Sequence, residues 1–291
     1  MRARPFKQVD VFTAVGLKGN PVAVVFDAND LSDEEMQRFA NWTNLSEATF
    51  FCEPTPDSGA DYRLRIFTPG GELPFAGHPT VGSAHAYLEH GGARLDHDVM
   101  RMECGAGVLT LRFEGEDASR LIFTETPEAK VVHEFATSVD VIAEALGAEI
   151  VTDPPPTSVY NGPTWLFVQL PDPAAIGSMK PDMTAVARLS DDFSVSGFAP
   201  FAITGAEPMV RIRCFAPLYG INEDPVTGSA NGALPTYLAR HSLLDRTGRA
   251  YTVSQGLELG RDGRVHVRVR DDDRAEIGGQ AVTVIDGEIR L

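Results

Sequence analysis

The sequence contains an internal duplication, which constrains the possible folds of this chain more strongly than any other feature. The segment FTPGGELPFAGHPTVGSAHAYL (residues 67–88) has a degenerate copy, FAPLYGINEDPVTGSANGALPTYL (residues 215–238). Residues in and just before these segments recur in the same order, with Arg63, Arg65, Phe67 and Pro69 matching Arg211, Arg213, Phe215 and Pro217. An ordered series of matches at a long period indicates two homologous halves.

Length and composition suit two domains of ordinary size. The chain has 291 residues, of which 43% are hydrophobic, so each half has the material for a core. We predict an N-terminal half over residues 1–126 and a C-terminal half over residues 127–291. The last strand of the chain could return to the first half.

The acidic composition excludes several kinds of partner. The 41 acidic and 25 basic residues give a net charge of −16, which argues against nucleic acid and against an anionic membrane surface. No apolar run approaches the length of a membrane span, and the N-terminus lacks a signal-peptide pattern. The cysteines Cys52, Cys104 and Cys214 lack metal-ligand spacing, so we expect packed thiols in a reducing compartment. Together these features predict a cytoplasmic protein.

The first half is predicted to contain mostly strands and one well-marked early helix. Strands are predicted at residues 9–13, 21–26, 48–52 and 62–68, followed by a hairpin at residues 100–113. Ser32 and Glu35 have the spacing of a capping box, which predicts that a helix begins just after Ser32. Leu31 and Met36 would form the hydrophobic staple of that helix.

Each half is predicted to contain a central helix that follows a Gly-rich turn. In the first half this helix should begin at Pro79 and end near Gly91 and Gly92. Small residues near its start, such as Gly82, would let strands approach closely. The pattern predicts a sheet wrapped around a helix.

The two Gly-rich turns are candidate anion sites. A helix N-terminus has unpaired N–H groups and a partial positive charge, so the turns at Gly77 and Gly228 could each bind a carboxylate or an oxyanion. A glycine in one such turn often serves only to allow a tight turn. Its recurrence at matching positions favours the binding interpretation.

Differences between the duplicated halves point to candidate catalytic residues, because a scaffold needs its residues twice whereas chemistry can need a group once. Glu47 matches Val195, so only one half carries a carboxylate there. Its apolar neighbours Leu45, Ala48 and Phe50 would favour the protonated form of a buried carboxyl, which suits a group that transfers protons. The alternative is an exposed or capping carboxylate.

Further differences lie at the Gly-rich turns. Aligning the turns places Asp224 opposite Leu73 and His78 opposite Ser229. Asp224 could bind a substrate or serve only as the turn residue of an Asp-Pro pair. His78 is not a preferred capping residue, which favours a free side chain. Ser229, like Ser46 beside Glu47, could bind a ligand or cap the backbone.

The charged residues that accompany the duplication are predicted to be structural. Arg63 and Arg65, like Arg211 and Arg213, alternate along predicted strands and should lie on a solvated face. Glu223 should also be solvated.

Several common catalytic motifs are absent from the sequence. There is no P-loop, no HExxH and no dinucleotide fingerprint. His85, His90 and His97 do not form a convincing metal set with nearby carboxylates. We therefore expect chemistry without a cofactor or a metal, most simply proton transfer.

The motifs GNPVAVV, NLSEATF, FTPGGELPFAGHPT, RCFAP, EDPVTGSANGA and SQGLELGRDGRVHVRV resemble those of the phenazine-biosynthesis PhzF family, in order from about Val9 to Ile289. The resemblance implies an α+β, diaminopimelate epimerase-like fold of two pseudo-symmetric domains, each with a sheet wrapped around a central helix. It also implies an active site in the cleft between the domains, a homodimer and no cofactor. The catalytic glutamate would be Glu47, with His78, Asp224 and Ser229 as further active-site residues.

Two departures refine this expectation. Racemases of the same fold use a cysteine ahead of each Gly-rich turn, but this chain has Ala76 and Thr227 there. One carboxylic residue instead favours transfer of a proton between two carbons of one substrate, which is isomerisation. The second departure is Pro235, which removes a backbone donor from the second central helix and could kink its first turns.

These observations predict a cofactor-independent isomerase of a small carboxylate, and the resemblance implies a reaction similar to that of trans-2,3-dihydro-3-hydroxyanthranilate isomerase. Glu47 would transfer the proton, His78 and Asp224 would orient or protonate polar groups, and the turns at Gly77 and at Gly228–Ser229 would bind the carboxylate. Two alternatives stay open: an epimerase or racemase acting on another small amino or hydroxy acid, and a non-catalytic ligand-binding protein on the same scaffold.

Overall fold

The structure is a computed structural model that describes residues 2–91 and 98–291 of the chain. Two compact units are present: the first comprises Met1–Glu125 and Gly278–Leu291, and the second comprises Thr126–Ile277. The parts of the sequence predictions that concern Gly92 and His97 lie outside the described residues. Within the described residues, no helix is both long and apolar enough to cross a membrane.

Short strands make up most of the regular structure, and the helices lie between them. The strands are β1 (Ala3–Val11), β2 (Asn20–Val25), β3 (Ala48–Cys52), β4 (Tyr62–Thr68), β5 (Gly71–Leu73), β6 (Val99–Cys104), β7 (Gly107–Glu114), β8 (Leu121–Glu125), β9 (Lys130–Glu134), β10 (Thr157–Tyr160), β11 (Thr164–Gln169), β12 (Gly197–Ile203), β13 (Val210–Ile212), β14 (Cys214–Ala216), β15 (Ile221–Asp224), β16 (Ala250–Gln255), β17 (Gly263–Val269), β18 (Ala275–Gly279) and β19 (Ala281–Arg290). The helices are α1 (Asp33–Thr43), α2 (Gly77–Glu89), α3 (Val139–Leu146), α4 (Pro173–Ser178), α5 (Met183–Asp192), α6 (Gly228–Arg240) and α7 (Leu244–Thr247).

In the first unit, a mixed sheet surrounds the central helix α2. Strand β1 pairs antiparallel with β19 and β2, β2 pairs parallel with β3, β3 antiparallel with β4, β4 parallel with β6, and β6 antiparallel with β7. Helix α2 contacts β1, β2, β3, β8 and β19. A Cβ atom at Gly82 would lie 2.6 Å from Val22 Cγ1 and 2.7 Å from Val11 Cγ2, so only glycine permits this close approach of helix and sheet.

The second unit repeats this pairing pattern. Strands β10 and β11 are antiparallel, β11 and β12 parallel, β12 and β13 antiparallel, β13 and β16 parallel, and β16 and β17 antiparallel. Helix α6 contacts β9, β10, β11 and β17. The same order of parallel and antiparallel pairs in both units is the structural counterpart of the duplicated sequence.

The local signals at the helix ends are largely confirmed. Ser32 caps α1, and its reciprocal contacts with Glu35 form the predicted capping box. Leu31 and Met36 are both buried in one core cluster of the first unit. Helix α2 begins at Gly77, two residues before the predicted start at Pro79. Proline is tolerated throughout the first turn, because the amide it lacks would have no partner within the helix there.

Candidate active site

Glu47 lies at the end of the connection between α1 and β3. Helix α1 ends at Thr43, and the next residue, Asn44, adopts the left-handed conformation that often terminates a helix. The Glu47 carbonyl accepts a 3.5 Å hydrogen bond from the Ala23 amide on β2, which holds this part of the backbone against the sheet. The Glu47 side chain is only 14% exposed. Ser46, its half-buried neighbour, lies in the same connection.

His78 is the second residue of α2 and is almost completely buried. The residue before the helix, Ala76, has no side chain that could cap it, and His78 does not act as the cap either. Burial lowers the pKa of His78 to about 3, although a hydrogen bond with the backbone of Pro21 acts in the opposite direction. The imidazole is therefore neutral near pH 7.

Glu47 and His78 face each other across 3.4 Å, measured from Oε2 to Nδ1. This distance is slightly longer than an ordinary hydrogen bond, and because the imidazole is neutral the contact is not an ion pair. A carboxyl and a neutral imidazole can each hold a proton, so a small movement would let them share one. We call Ser46, Glu47, Gly77 and His78 the first half-site.

The second half-site consists of Asp224, Thr227, Gly228 and Ser229, which connect β15 to α6. Asp224 is the last residue of β15, and its Oδ2 atom accepts a 2.6 Å hydrogen bond from the Thr227 hydroxyl. Thr227 occupies the capping position of α6, yet its side chain does not bond to the helix amides. The hydroxyl that could cap the helix therefore binds the candidate site carboxylate instead.

Ser229 is fixed by two side chains that the sequence reasoning missed. Trp165 donates a 2.9 Å hydrogen bond from Nε1 to the Ser229 hydroxyl oxygen, and Asn161 donates a 2.8 Å bond to the Ser229 carbonyl. Because the Ser229 oxygen accepts from the indole, its own O–H points elsewhere and can donate to a ligand. Trp165 lies in the segment GPTWLFVQL, whose strand β11 pairs in parallel with β12 as β2 pairs with β3 in the first unit.

Pro235 does not interrupt the second half-site. Helix α6 is continuous from Gly228 to Arg240 with Pro235 inside it. The first turn is closed, since the Asn231 amide bonds to the Thr227 carbonyl at 3.1 Å. Proline lacks the N–H that would bond four residues back, so the lost donor concerns the turn after the half-site.

The prediction that Arg213 and Glu223 lie on a solvated face is wrong. Arg213 donates from both Nε and Nη2 to the two carboxylate oxygens of Glu223 at 2.9 and 2.7 Å, and their side chains are 8% and 10% exposed. Arg65 forms the equivalent fork with Glu72, with both distances 2.7 Å. Strand alternation alone does not separate a solvated arginine from one whose partner lies on a neighbouring strand.

The cysteines are free thiols within the packed structure. Cys214 is fully buried and faces Asp224 across the β14–β15 pair. Burial raises the pKa of its thiol well above the ordinary value, so a reactive thiolate is disfavoured. Burial likewise raises the pKa values of Cys52 and Cys104.

The structure thus groups the predicted site residues in two places. Glu47 and His78 lie in contact in the first unit, with Ser46 and Gly77 adjacent to them in the chain. Asp224, Gly228 and Ser229 flank one turn at the start of α6 in the second unit.

Known proteins resemble this chain over nearly its whole length. The family model described as phenazine biosynthesis-like protein (PhzC-PhzF) matches residues 9–287. The protein called antisense-enhancing sequence 1 from Schizosaccharomyces pombe is 40% identical over 99% of this chain and 99% of its own length. The trans-2,3-dihydro-3-hydroxyanthranilate isomerase of Pseudomonas aeruginosa is 39% identical over 96% of this chain and 92% of its own.

Solved structures agree with this result. The crystal structure of a PhzF-family phenazine biosynthesis protein from Bacillus anthracis is 28% identical, with a TM-score of 0.86 and complete coverage of both chains. Two repeated units, each with a sheet around a central helix, confirm the predicted diaminopimelate epimerase-like fold, and relatives that are named isomerases place the protein in that enzyme class. The chain belongs to the PhzC-PhzF family of phenazine biosynthesis-like proteins.

Proposed function

We propose that this protein is a cofactor-independent isomerase that moves a proton between two carbons of a small carboxylate, with Glu47 as the general acid and base. The observation that carries the proposal is the contact between the largely buried Glu47 carboxyl and the neutral His78 imidazole, 3.4 Å apart. A carboxyl group shielded from water can take a proton from carbon and return it elsewhere.

The reaction requires no net exchange of electrons or protons. The Glu47 carboxylate takes a proton from one carbon, the substrate double bonds shift, and the Glu47 carboxyl returns the proton to another carbon. His78 contributes no positive charge near pH 7, because its pKa is about 3. A neutral His78 can therefore orient Glu47 or a substrate group without holding Glu47 permanently in an ion pair.

In the second half-site, Asp224 is assigned to orienting or protonating polar groups of the substrate, and Gly228 and Ser229 are assigned to binding its carboxylate. The oxygens of Asp224 can accept hydrogen bonds, and the Ser229 hydroxyl can donate one because Trp165 donates to its oxygen. The amides at the start of α6, around Gly228, suit a carboxylate. We assign the same role in the first half-site to Ser46 and Gly77.

The substrate we propose is trans-2,3-dihydro-3-hydroxyanthranilate or a close analogue. Relatives from Pseudomonas aeruginosa and Pseudomonas fluorescens that carry the name of this isomerase are 39% and 38% identical to this chain. We also propose that the protein is a homodimer, as the family resemblance implies, and that it is cytoplasmic, as its acidic composition and unpaired cysteines favour.

Proton NMR in D₂O tests this assignment. The wild type, a Glu47→Gln variant and a Glu53→Gln control are each incubated with trans-2,3-dihydro-3-hydroxyanthranilate while its ring signals are followed. Glu53 is an exposed glutamate just after β3, whereas Glu47 immediately precedes the same strand. We expect the Glu47→Gln rate to be lower by at least about a hundredfold, because the general base is lost. The control should retain the wild-type rate.

The remaining outcomes separate the alternatives. A Glu47→Gln variant with wild-type turnover and an intact circular dichroism spectrum would contradict the role of Glu47. Exchange of one stereocentre's proton with solvent, without double-bond migration, would identify an epimerase instead. Binding of the compound without any exchange in the wild type would support a ligand-binding protein.

A further inference from the structure

Gln255 is a buried residue of the second unit that the proposed chemistry leaves without a role. It is the last residue of β16, belongs to the SQGLELG segment (residues 254–260) and is 1% exposed. Its Nε2 donates to the Asp224 carbonyl at 3.0 Å and to the Thr227 hydroxyl at 2.9 Å. Its Oε1 accepts from the Thr227 amide at 3.0 Å and from Asn231 Nδ2 at 3.1 Å. The amide therefore uses both of its donors and both acceptor positions.

These contacts fix the direction of a hydrogen-bond chain that ends at Asp224. Since Gln255 donates to the Thr227 oxygen, the Thr227 proton is directed away from Gln255. That proton is donated to Asp224 Oδ2 at 2.6 Å. Asp224 is therefore the final acceptor of the chain, and a hydrogen bond from a hydroxyl favours its charged form.

The first unit has no corresponding chain among its described residues, although its scaffold is equivalent. In the parallel strand pairs, Arg63 faces Glu103 in the first unit, and Arg211 faces Ser254 in the second. The next residue along is Cys104 in the first unit and Gln255 in the second.

The turn before the central helix shows the same difference, with polar residues in the second unit where the first unit has apolar ones. Aligned on Gly77 and Gly228, the positions of Asp224 and Thr227 are taken in the first unit by Leu73 and Ala76.

One contact beside this hydrogen-bond chain recurs in both units and so belongs to the shared scaffold. Thr80 donates from its hydroxyl to the Ala76 carbonyl, and Asn231 donates from Nδ2 to the Thr227 carbonyl, both at 2.8 Å. Both halves of the scaffold therefore share a side-chain donor at this point of the central helix. The Gln255–Thr227–Asp224 hydrogen-bond chain, in contrast, is found in the second unit alone among the described residues.

We propose that Gln255 is a positioning residue, which holds Asp224 as a charged hydrogen-bond acceptor through Thr227. This inference rests on the proposed function, because Asp224 orients or protonates polar groups of the substrate there. Gln255 does not touch the substrate. It acts by setting the direction of the Thr227 hydroxyl and the position of the Asp224 backbone.

The test uses two variants that alter the hydrogen-bond chain from Gln255 to Asp224 and one that leaves it intact. Gln255→Glu keeps the shape of the side chain but replaces the donor that faces Thr227 with an acceptor. Thr227→Val removes the donor to Asp224 and serves if the Gln255→Glu protein folds poorly. Gln169→Glu is the matched control, because Gln169 is a buried glutamine, 7% exposed, at the end of β11 in the same unit.

Two measurements are made on four proteins, which are the wild type and the three variants. The first is the kcat and KM of the proposed isomerisation. We expect kcat to fall by about tenfold or more in Gln255→Glu and Thr227→Val, because a hydrogen bond to a charged group is lost. KM should change by less than about threefold.

The second measurement is the ¹³C NMR titration of the Asp224 carboxyl, whose signal is assigned with an Asp224→Asn variant. Its midpoint should move to higher pH in both variants and stay unchanged in Gln169→Glu.

The two measurements separate failure of this inference from failure of the proposed function. If the wild type does not convert the substrate, the proposed function is wrong, and the carboxyl titration still decides the role of Gln255. An Asp224 midpoint equal in all four proteins would overturn the positioning role whatever the activity. Equal losses of kcat in Gln169→Glu and Gln255→Glu would also overturn it, since both would then reflect stability alone.

Discussion

At the scale of single residues, burial decides the charge of His78. The side chain was recognised in the sequence from its place beside a Gly-rich turn, but its protonation state depends on the residues that surround it in the fold. With 6% of the side chain exposed, the cationic form is strongly disfavoured. The low pKa has a consequence for stability as well as for chemistry.

We predict that His78 makes the protein less stable in mild acid. Below pH 6.5, the ordinary value, the unfolded chain binds a proton at His78 that the folded chain does not bind until about pH 3. The free energy of unfolding should therefore fall as the pH decreases through this window, with His78 contributing up to about 1.4 kcal/mol per pH unit. Urea unfolding at several pH values, compared with His78→Gln, measures this contribution. Parallel pH profiles for the two proteins would contradict the prediction.

At the scale of secondary-structure elements, both halves have the same arrangement in the hairpin before the central helix. In each half an arginine lies over a phenylalanine ring and binds a glutamate, and we call this arrangement the clamp. Arg65 lies over the Phe67 ring at 5.1 Å and binds Glu72, and Arg213 lies over the Phe215 ring at 5.0 Å and binds Glu223. The first clamp is partly open to water, because the Glu72 side chain is 42% exposed. The second is buried and ends one residue before Asp224.

This difference in burial predicts different costs for the two glutamates. Glu223→Ala would leave the buried Arg213 guanidinium without its main partner, so we expect a loss of about 3 kcal/mol in the free energy of unfolding. Glu72→Ala should cost at most about 1 kcal/mol, since water and Asp33 can still solvate Arg65. Denaturant unfolding of both variants measures the difference. Equal losses would show that burial is not what separates the two clamps.

At the scale of the whole molecule, the chain returns to its first unit at the end. Strand β19 pairs with β1 along its full length, from Ala3 opposite Arg290 to Val11 opposite Ala281. The Lys7 ammonium, buried on β1, bonds to Asp286 of β19 at 2.8 Å. The first unit is therefore completed only after the second has been synthesised.

We predict that removal of residues 281–291 destabilises the first unit selectively. The truncation exposes the edge of β1 and leaves Lys7 without one of its two carboxylate partners. In hydrogen exchange measured by mass spectrometry, peptides from β1, β2 and α2 should lose protection, whereas those from β10 to β13 keep it. Uniform loss of protection in both units would contradict the prediction and show a single cooperative structure.

Much of the candidate site could be proposed from the sequence because its signals are local or repeated. The capping box at Ser32, the position of Glu47 before a strand and the turns at Gly77 and Gly228 all depend on residues close in sequence. The duplication added a reference for each position, so that Glu47, His78 and Asp224 stood out as differences between halves.

Patterns along the chain were enough to establish the family, the repeated fold and the candidate catalytic carboxylate. The partner of each side chain, in contrast, became known only from the packed fold. Gln255 lies 31 residues after Asp224 and Trp165 lies 64 residues before Ser229, yet both pairs are joined by hydrogen bonds. The charge of His78 and the burial of Glu223 likewise depend on packing, since solvent exclusion is a property of the folded molecule and not of the local sequence.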